Sequence, residues 1–159
     1  MLKPPSEVLK SSLYFEDCDY GLEYFTETHT ITNSDLQIFS DLTHDHHPLH
    51  RDDAFAQSMG FSRRIAHGLF SLALMEGLKS KLKIYETTSV ASLGWDAVRF
   101  KKPILSGETV QARVHIDSKR MSKQASKGVV IETVDLINQK GEVALTGQHA
   151  TLVICRQRS

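Results

Sequence analysis

Asp45-His46-His47-Pro48-Leu49-His50 sets a carboxylate and an imidazole five positions apart around a proline, and His67-Gly68 follows seventeen positions after His50. Adding water to a carbon–carbon double bond conjugated to a carbonyl needs a base to activate the water and an acid to deliver a proton. Histidine serves either role near neutral pH, and a carboxylate beside it can hold the water or share the proton. Pro48 rules out a regular helix through 45–50, so the chain must turn there, which can bring Asp45 and His50 to one cavity. His67-Gly68 opens a strongly apolar stretch. Unpaired N–H groups at the start of a helix carry partial positive charge and suit a developing oxyanion. Gly68 leaves its own N–H uncovered. A glycine so early in a helix costs about 1 kcal/mol against alanine, which points to close approach by another group.

Other readings of these residues compete. An Asp and a His at this spacing are common in solvated loops. His44, His46, His47 and His50 with Asp45 also form a ligand-rich run for a metal, but Pro48 disrupts the helical geometry that His46 and His50 would share. We therefore expect no metal and no redox cofactor. Trp95 and Phe100 read as core or interface residues. Arg99, Lys101 and Lys102 are candidates to meet phosphates, against a plainer role at a solvated strand end.

The elements that must hold this site follow from patterning. Residues 24–32 are β-branched and aromatic and predict a strand. Asn33 or Ser34 caps a predicted helix through about Leu42, with Leu36, Phe39 and Leu42 on one stripe. Irregular chain follows from Thr43 to Arg64, with a short helix near Asp53–Met59. Residues 65–82 are apolar on nearly every face and predict a buried central helix, with Lys79, Lys81 and Lys83 at its negative end. Four further strands are expected: 88–100, 108–118, 127–137 and 142–154. In the second of these Val110, Ala112, Val114 and Ile116 alternate onto one face. Asn138-Gln139-Lys140-Gly141 reads as a hairpin turn. The simplest packing is an α+β domain with an antiparallel sheet wrapped around the apolar helix. Its open edge invites a second copy, so a homodimer is expected.

The chain has 159 residues, 40% hydrophobic and 24% charged, enough for one core, read as a single domain over 1–159 with residues 1–12 as a loose leader. Lys+Arg and Asp+Glu each total 19, so no net field points to nucleic acid or an anionic membrane. Cys18 and Cys155 have neither metal nor redox spacing and suit a reducing compartment. No apolar signal core or membrane-length stretch is visible, so the expected location is cytoplasmic.

The segment 45–50 resembles the Asp-x-Asn-Pro-Leu-His signature of the MaoC-like hydratases, whose best-known members are R-specific 2-enoyl-CoA hydratases. The likeness continues through Asp52 or Asp53, Ala54-Phe55-Ala56, Gly60-Phe61 and Ile65-Ala66-His67-Gly68-Leu69, and more loosely through Gly94 to Phe100, Pro103 and Gly107-Glu108-Thr109. The resemblance implies a hot-dog fold, usually dimeric, with residues around 45–50 on a hydratase overhang. It implies Asp45 and His50 as a catalytic pair around one water, and the Gly68 amide as the binder of the thioester oxygen. The implied substrate is an acyl-CoA or acyl carrier protein thioester, and the implied reaction is reversible hydration of a trans-2-enoyl thioester to the (R)-3-hydroxyacyl thioester. His47, His67 and Glu76 stand as supporting candidates. His47 replaces the asparagine of the signature. Glu76 lies eight residues past Gly68, where some relatives carry a small hydroxyl residue. Two alternatives are a hot-dog thioesterase using Glu76, and a binding subunit without catalysis.

Overall fold

The computed structural model describes residues 1–123 and 125–156. Five strands form one antiparallel sheet in the order β1-β3-β4-β5-β2, where β1 is Glu23–Thr30, β2 Ser89–Phe100, β3 Thr109–Met121, β4 Lys127–Asn138 and β5 Val143–Ile154. Period-two alternation sets the faces as expected. Val110, Ala112, Val114 and Ile116 are all fully buried, and Val130, Val134 and Leu136 of β4 join them. Met75 and Leu78 of helix α3 (Gly68–Ser80) complete this core. A sheet curled around one helix is the hot-dog arrangement. The turn at 138–141 closes the β4–β5 hairpin, with Gly141 N–H donating to the Asn138 carbonyl at 2.8 Å and Gly141 at φ 82°.

Helices α1 (Asn33–Thr43) and α2 (Asp53–Ser58) lie between β1 and α3. Thr32, not Asn33 or Ser34, caps α1. Its hydroxyl accepts from Asp35 N–H at 3.1 Å while the Asp35 carboxylate accepts from Thr32 N–H at 2.8 Å, so each side chain satisfies the other residue's otherwise orphan N–H. The expected apolar stripe of α1 holds at Leu36, but Leu42 is exposed.

Helix α3 starts three residues later than the apolar run suggested. Ile65 and Ala66 are extended, their N–H groups donating to the carbonyls of Leu49 and Ile104 at 3.0 and 2.8 Å. Gly68 is therefore the first helical residue, and its N–H lies ahead of the helix's own hydrogen-bond ladder. The helix is not buried all round either, since Leu69 is exposed. Lys79 is buried rather than solvated beside the helix terminus. Residues 1–12 carry no helix or strand, yet they are not loose. Ser6 exchanges hydrogen bonds with Phe25 of β1, Lys3 N–H reaches the Gln111 side chain, and Leu9 and Leu13 pack on the core. Among the described residues no helix is long and apolar enough to cross a membrane.

Candidate active site

Helix α1 ends at His44, in the left-handed conformation at φ 61°, and the chain turns back across the start of α3. Ser40 anchors this turn. Its hydroxyl donates to the Asp45 carbonyl at 2.6 Å, and its oxygen lies 3.1 Å from His46 Nδ1. Asp45 accepts from His47 N–H at 3.3 Å, and His47 Nδ1 accepts from Leu49 N–H at 3.2 Å. The ring of His47 thus caps the short 3-10 turn Pro48–His50. An imidazole nitrogen does what a short side-chain oxygen does at such a cap, which answers the departure from the asparagine of the signature.

That turn aims His50. Its Nδ1 donates to the Ile65 carbonyl at 2.8 Å, since a carbonyl can only accept. The Nε2 nitrogen is then the one with a free lone pair. The ring stacks on His67 with centroids 3.8 Å apart and planes 27° from parallel. His67 Nε2 donates to the Asp45 carbonyl at 3.2 Å, while its Nδ1 is buried with no hydrogen-bond partner among the described residues. Burial holds the protonation of His67 below the usual histidine range. The Asp45 carbonyl works against that shift, and the neighbouring His50 adds to it. Ligating atoms of Asp45, His50 and His67 all fall within 4.8 Å of one another. Nitrogen lone pairs lie in their ring planes, so two rings stacked this way hold them in two nearly parallel planes. One ring would have to turn for both to bind a single ion.

These groups line a cavity of about 590 Å³, whose remaining wall is mainly apolar, including Phe39, Leu69, Phe100, Ile104 and Leu145. Gly68 lines it beside His67, and Lys101 and Lys102 lie along its wall. Lys102 is already paired with Glu142 at 2.5 Å. Arg99 does not line the cavity, and its guanidinium donates to the Val98 carbonyl. The histidine-rich run does not gather around one point. His46 accepts from Arg51 at 2.7 Å, and His67 joins Asp45 and His50 instead.

Glu76 is not part of this cavity. It lines a second one of about 350 Å³ with Lys79, Ser92, His149 and Thr151. Eight residues of helix separate it from Gly68, about 12 Å along the axis. Here Lys79 Nζ lies 2.6 Å from Glu132 Oε2 and donates to His149 Nδ1 at 2.7 Å, and His149 Nε2 donates to the Ser92 hydroxyl at 2.7 Å. Sequence reading missed this cluster, although a signal existed. Glu132 interrupts the inward stripe Val130-x-Glu132-x-Val134, and Lys79 shares the inward stripe of α3 with Ser71 and Met75. Two lone charges on facing apolar stripes call for each other.

Comparison with known proteins adds the lineage. Residues 22–138 match the sequence profile described as the MaoC like domain. The chain belongs to the MaoC-like domain family. Within that family it is 30% identical over 148 residues to the (R)-specific enoyl-CoA hydratase of Rhodospirillum rubrum, covering 90% of this chain and 93% of that protein. It is also 30% identical over 113 residues to Protein MaoC of Klebsiella aerogenes, covering 71% of this chain but only 33% of that longer protein. Among solved structures, the monoamine oxidase regulatory protein of Archaeoglobus superimposes with a TM-score of 0.84 at 30% identity, covering 92% of this chain and 97% of that one.

Proposed function

We propose that this protein reversibly hydrates a trans-2-enoyl thioester, carried on coenzyme A or acyl carrier protein, to the (R)-3-hydroxyacyl thioester. The observation that carries the proposal is that Asp45, His50 and the Gly68 helix start line one mainly apolar cavity, with Asp45 and His50 close together. In this reading Asp45 and His50 Nε2 hold one water. Its oxygen bonds to C3 as the double-bond electrons move toward the thioester oxygen, and one water proton passes to His50 Nε2 while the other stays on the new C3 hydroxyl. The Gly68 N–H stabilises the enolate, and the pair returns a proton to C2 as the enolate collapses. The hydrogen bond from His50 Nδ1 to the Ile65 carbonyl supports this by leaving Nε2 to receive the proton. The apolar wall suits an acyl chain, and no metal or redox cofactor is invoked. Lys101 and Lys102 are proposed to meet the phosphates of the carrier. Arg99, turned back on its own backbone, is a weaker candidate.

The thioesterase alternative needs a carboxylate at the thioester carbonyl. Glu76 faces the other cavity of the same chain, so within one chain the geometry favours hydration. The binding-subunit alternative has to account for an intact Asp45–His50 arrangement. The deciding assay offers enoyl-CoA and saturated acyl-CoA of several chain lengths, with chiral analysis of the product. Hydration to the R product is expected. Asp45→Asn and His50→Ala should each reduce kcat by about 10²–10⁴-fold while the fold is kept. Thiol release without a 3-hydroxyacyl product, or unimpaired hydration in both variants, would overturn the assignment.

A further inference from the structure

The group that crowds Gly68 in this chain is the ring of Phe100. A Cβ built on Gly68 would lie 2.9 Å from both Cε1 and Cζ of Phe100 and 3.2 Å from Cδ1, well inside the separation at which carbon atoms attract. The ring therefore occupies the side of the glycine that a Cβ would take. The end of β2 puts it there. The register of β2 against β5 slips between Asp96 and Arg99, with Ala97 at φ 51°, and a bulge of this kind re-aims the side chains that follow. Lys101 and Lys102 N–H then both donate to the Ala144 carbonyl, at 2.7 and 3.1 Å, fixing the strand's end against β5.

Core packing does not account for the ring. Phe100 is 55% exposed and Leu69, next to Gly68, is 66% exposed. Both line the larger cavity. Paired apolar side chains left open on a cavity wall supply contact surface to a ligand.

We propose that Phe100 is a specificity-determining residue whose ring walls the Gly68 side of the cavity and excludes acyl groups branched at the carbon next to the thioester carbonyl. The proposal rests on the thioester reading above. A carbonyl oxygen accepting from the Gly68 N–H sits about 2.9 Å from that nitrogen. The carbon next to the carbonyl then passes alongside the glycine, where Phe100 fills the space. A methyl branch on that carbon is the size of the Cβ that the ring already forbids at Gly68. Unbranched chains carry only hydrogens there and fit.

The test measures calorimetric binding of butyryl-CoA and isobutyryl-CoA, which differ in this branch and need no hydration chemistry. The wild-type chain should prefer butyryl-CoA by about tenfold or more, the scale at which a pocket discriminates one methyl group. Phe100→Ala should bring the two affinities together, and Phe100→Tyr, which keeps the ring, should retain the preference. A ligand-free arm uses thermal melts. Gly68→Ala should lower Tm in the wild-type background and do so far less in Phe100→Ala, as expected when one mutation relieves the clash made by the other. An unchanged affinity ratio in a folded Phe100→Ala protein overturns the proposal, as does a wild-type protein without preference. Binding of butyryl-CoA with the expected preference, but no hydration of any enoyl-CoA, would sink the hydratase reading and leave the wall intact. Binding of neither thioester overturns both.

Discussion

His67 is held from three directions, by its hydrogen bond to the Asp45 carbonyl, by the stacked ring of His50 and by Phe39 at 5.1 Å between centroids. Only 2% of it is exposed. Its charged form has little to compensate lost water, so burial pushes protonation below the ordinary value of 6.5, with His50 adding to the shift and Asp45 opposing it. In the unfolded chain the same ring protonates near that ordinary value. Between the two values the unfolded state binds more protons, so stability rises with pH there. The contribution of His67 is complete above about pH 6.5 and is lost as pH falls through the lower, folded value. Tm should therefore decline between pH 7.5 and 5.5, and His67→Gln should flatten that decline. A parallel decline in the variant would show that another group is responsible. The acids whose protonation is held low, including Asp35 and Asp53, lose their contributions only at lower pH and do not confuse this window. Much of the site was readable at this scale. Asp45, His50 and Gly68, singled out in the sequence as candidates, line one cavity. The capping role of His47 did not, because it depends on a ring nitrogen meeting the Leu49 N–H.

Helix α3 is tied to the sheet at its far end by charge. Lys79, its side chain 6% exposed, meets Glu132 of β4, which has no exposure. Burial alone would raise the Glu132 carboxyl. The Lys79 ammonium paired with it outweighs burial and holds the group below its ordinary value. His149 of β5 and Ser92 of β2 extend the chain of contacts, and Trp95 stacks on His149 at 4.6 Å. One helix is thereby joined to three strands, which holds Gly68 in place at the other end. Removing one partner leaves a buried, uncompensated charge, so Lys79→Met should cost about 3–5 kcal/mol in urea unfolding. The double variant Lys79→Met/Glu132→Leu should recover most of that loss, because it removes both charges and fills their volume. A single variant that costs under about 1 kcal/mol would mean that water reaches the pair. The elements themselves were largely legible, and β3 most clearly, since alternation over Val110 to Ile116 admits no helical reading. The start of α3 was misread because Ile65-Ala66-His67 continues the apolar run, while their hydrogen bonds go to Leu49 and Ile104, partners that local sequence does not reveal. Glu76 was drawn toward the wrong cavity for a related reason, since eight residues look close in sequence but run two turns along a helix.

The two edges of the sheet are not alike. Along β1 the leader covers part of the edge, with Ser6 N–H donating to the Phe25 carbonyl at 2.8 Å and Phe25 N–H to the Ser6 hydroxyl at 2.9 Å. Strand β2 at the other edge pairs, among the described residues, only with β5 and leaves Val90 and Leu93 exposed. An open, apolar edge of this length is a template for another strand. A second copy paired antiparallel along β2 would bury the same patch on both partners about a two-fold axis, which supports the expected homodimer. The chain mass is 17.9 kDa, so light scattering should give twice that, about 36 kDa, at micromolar concentration. Leu93→Lys puts a charge on each side of the axis and should shift the mass toward one chain without lowering helix and strand content. A wild-type protein that stays at one chain mass up to hundreds of micromolar, or a Leu93→Lys variant with unchanged association, would rule out this edge. Both cavities approach β2, one at Ser89 and Ser92 and the other at Phe100, so dissociation should also be visible in the hydration rate.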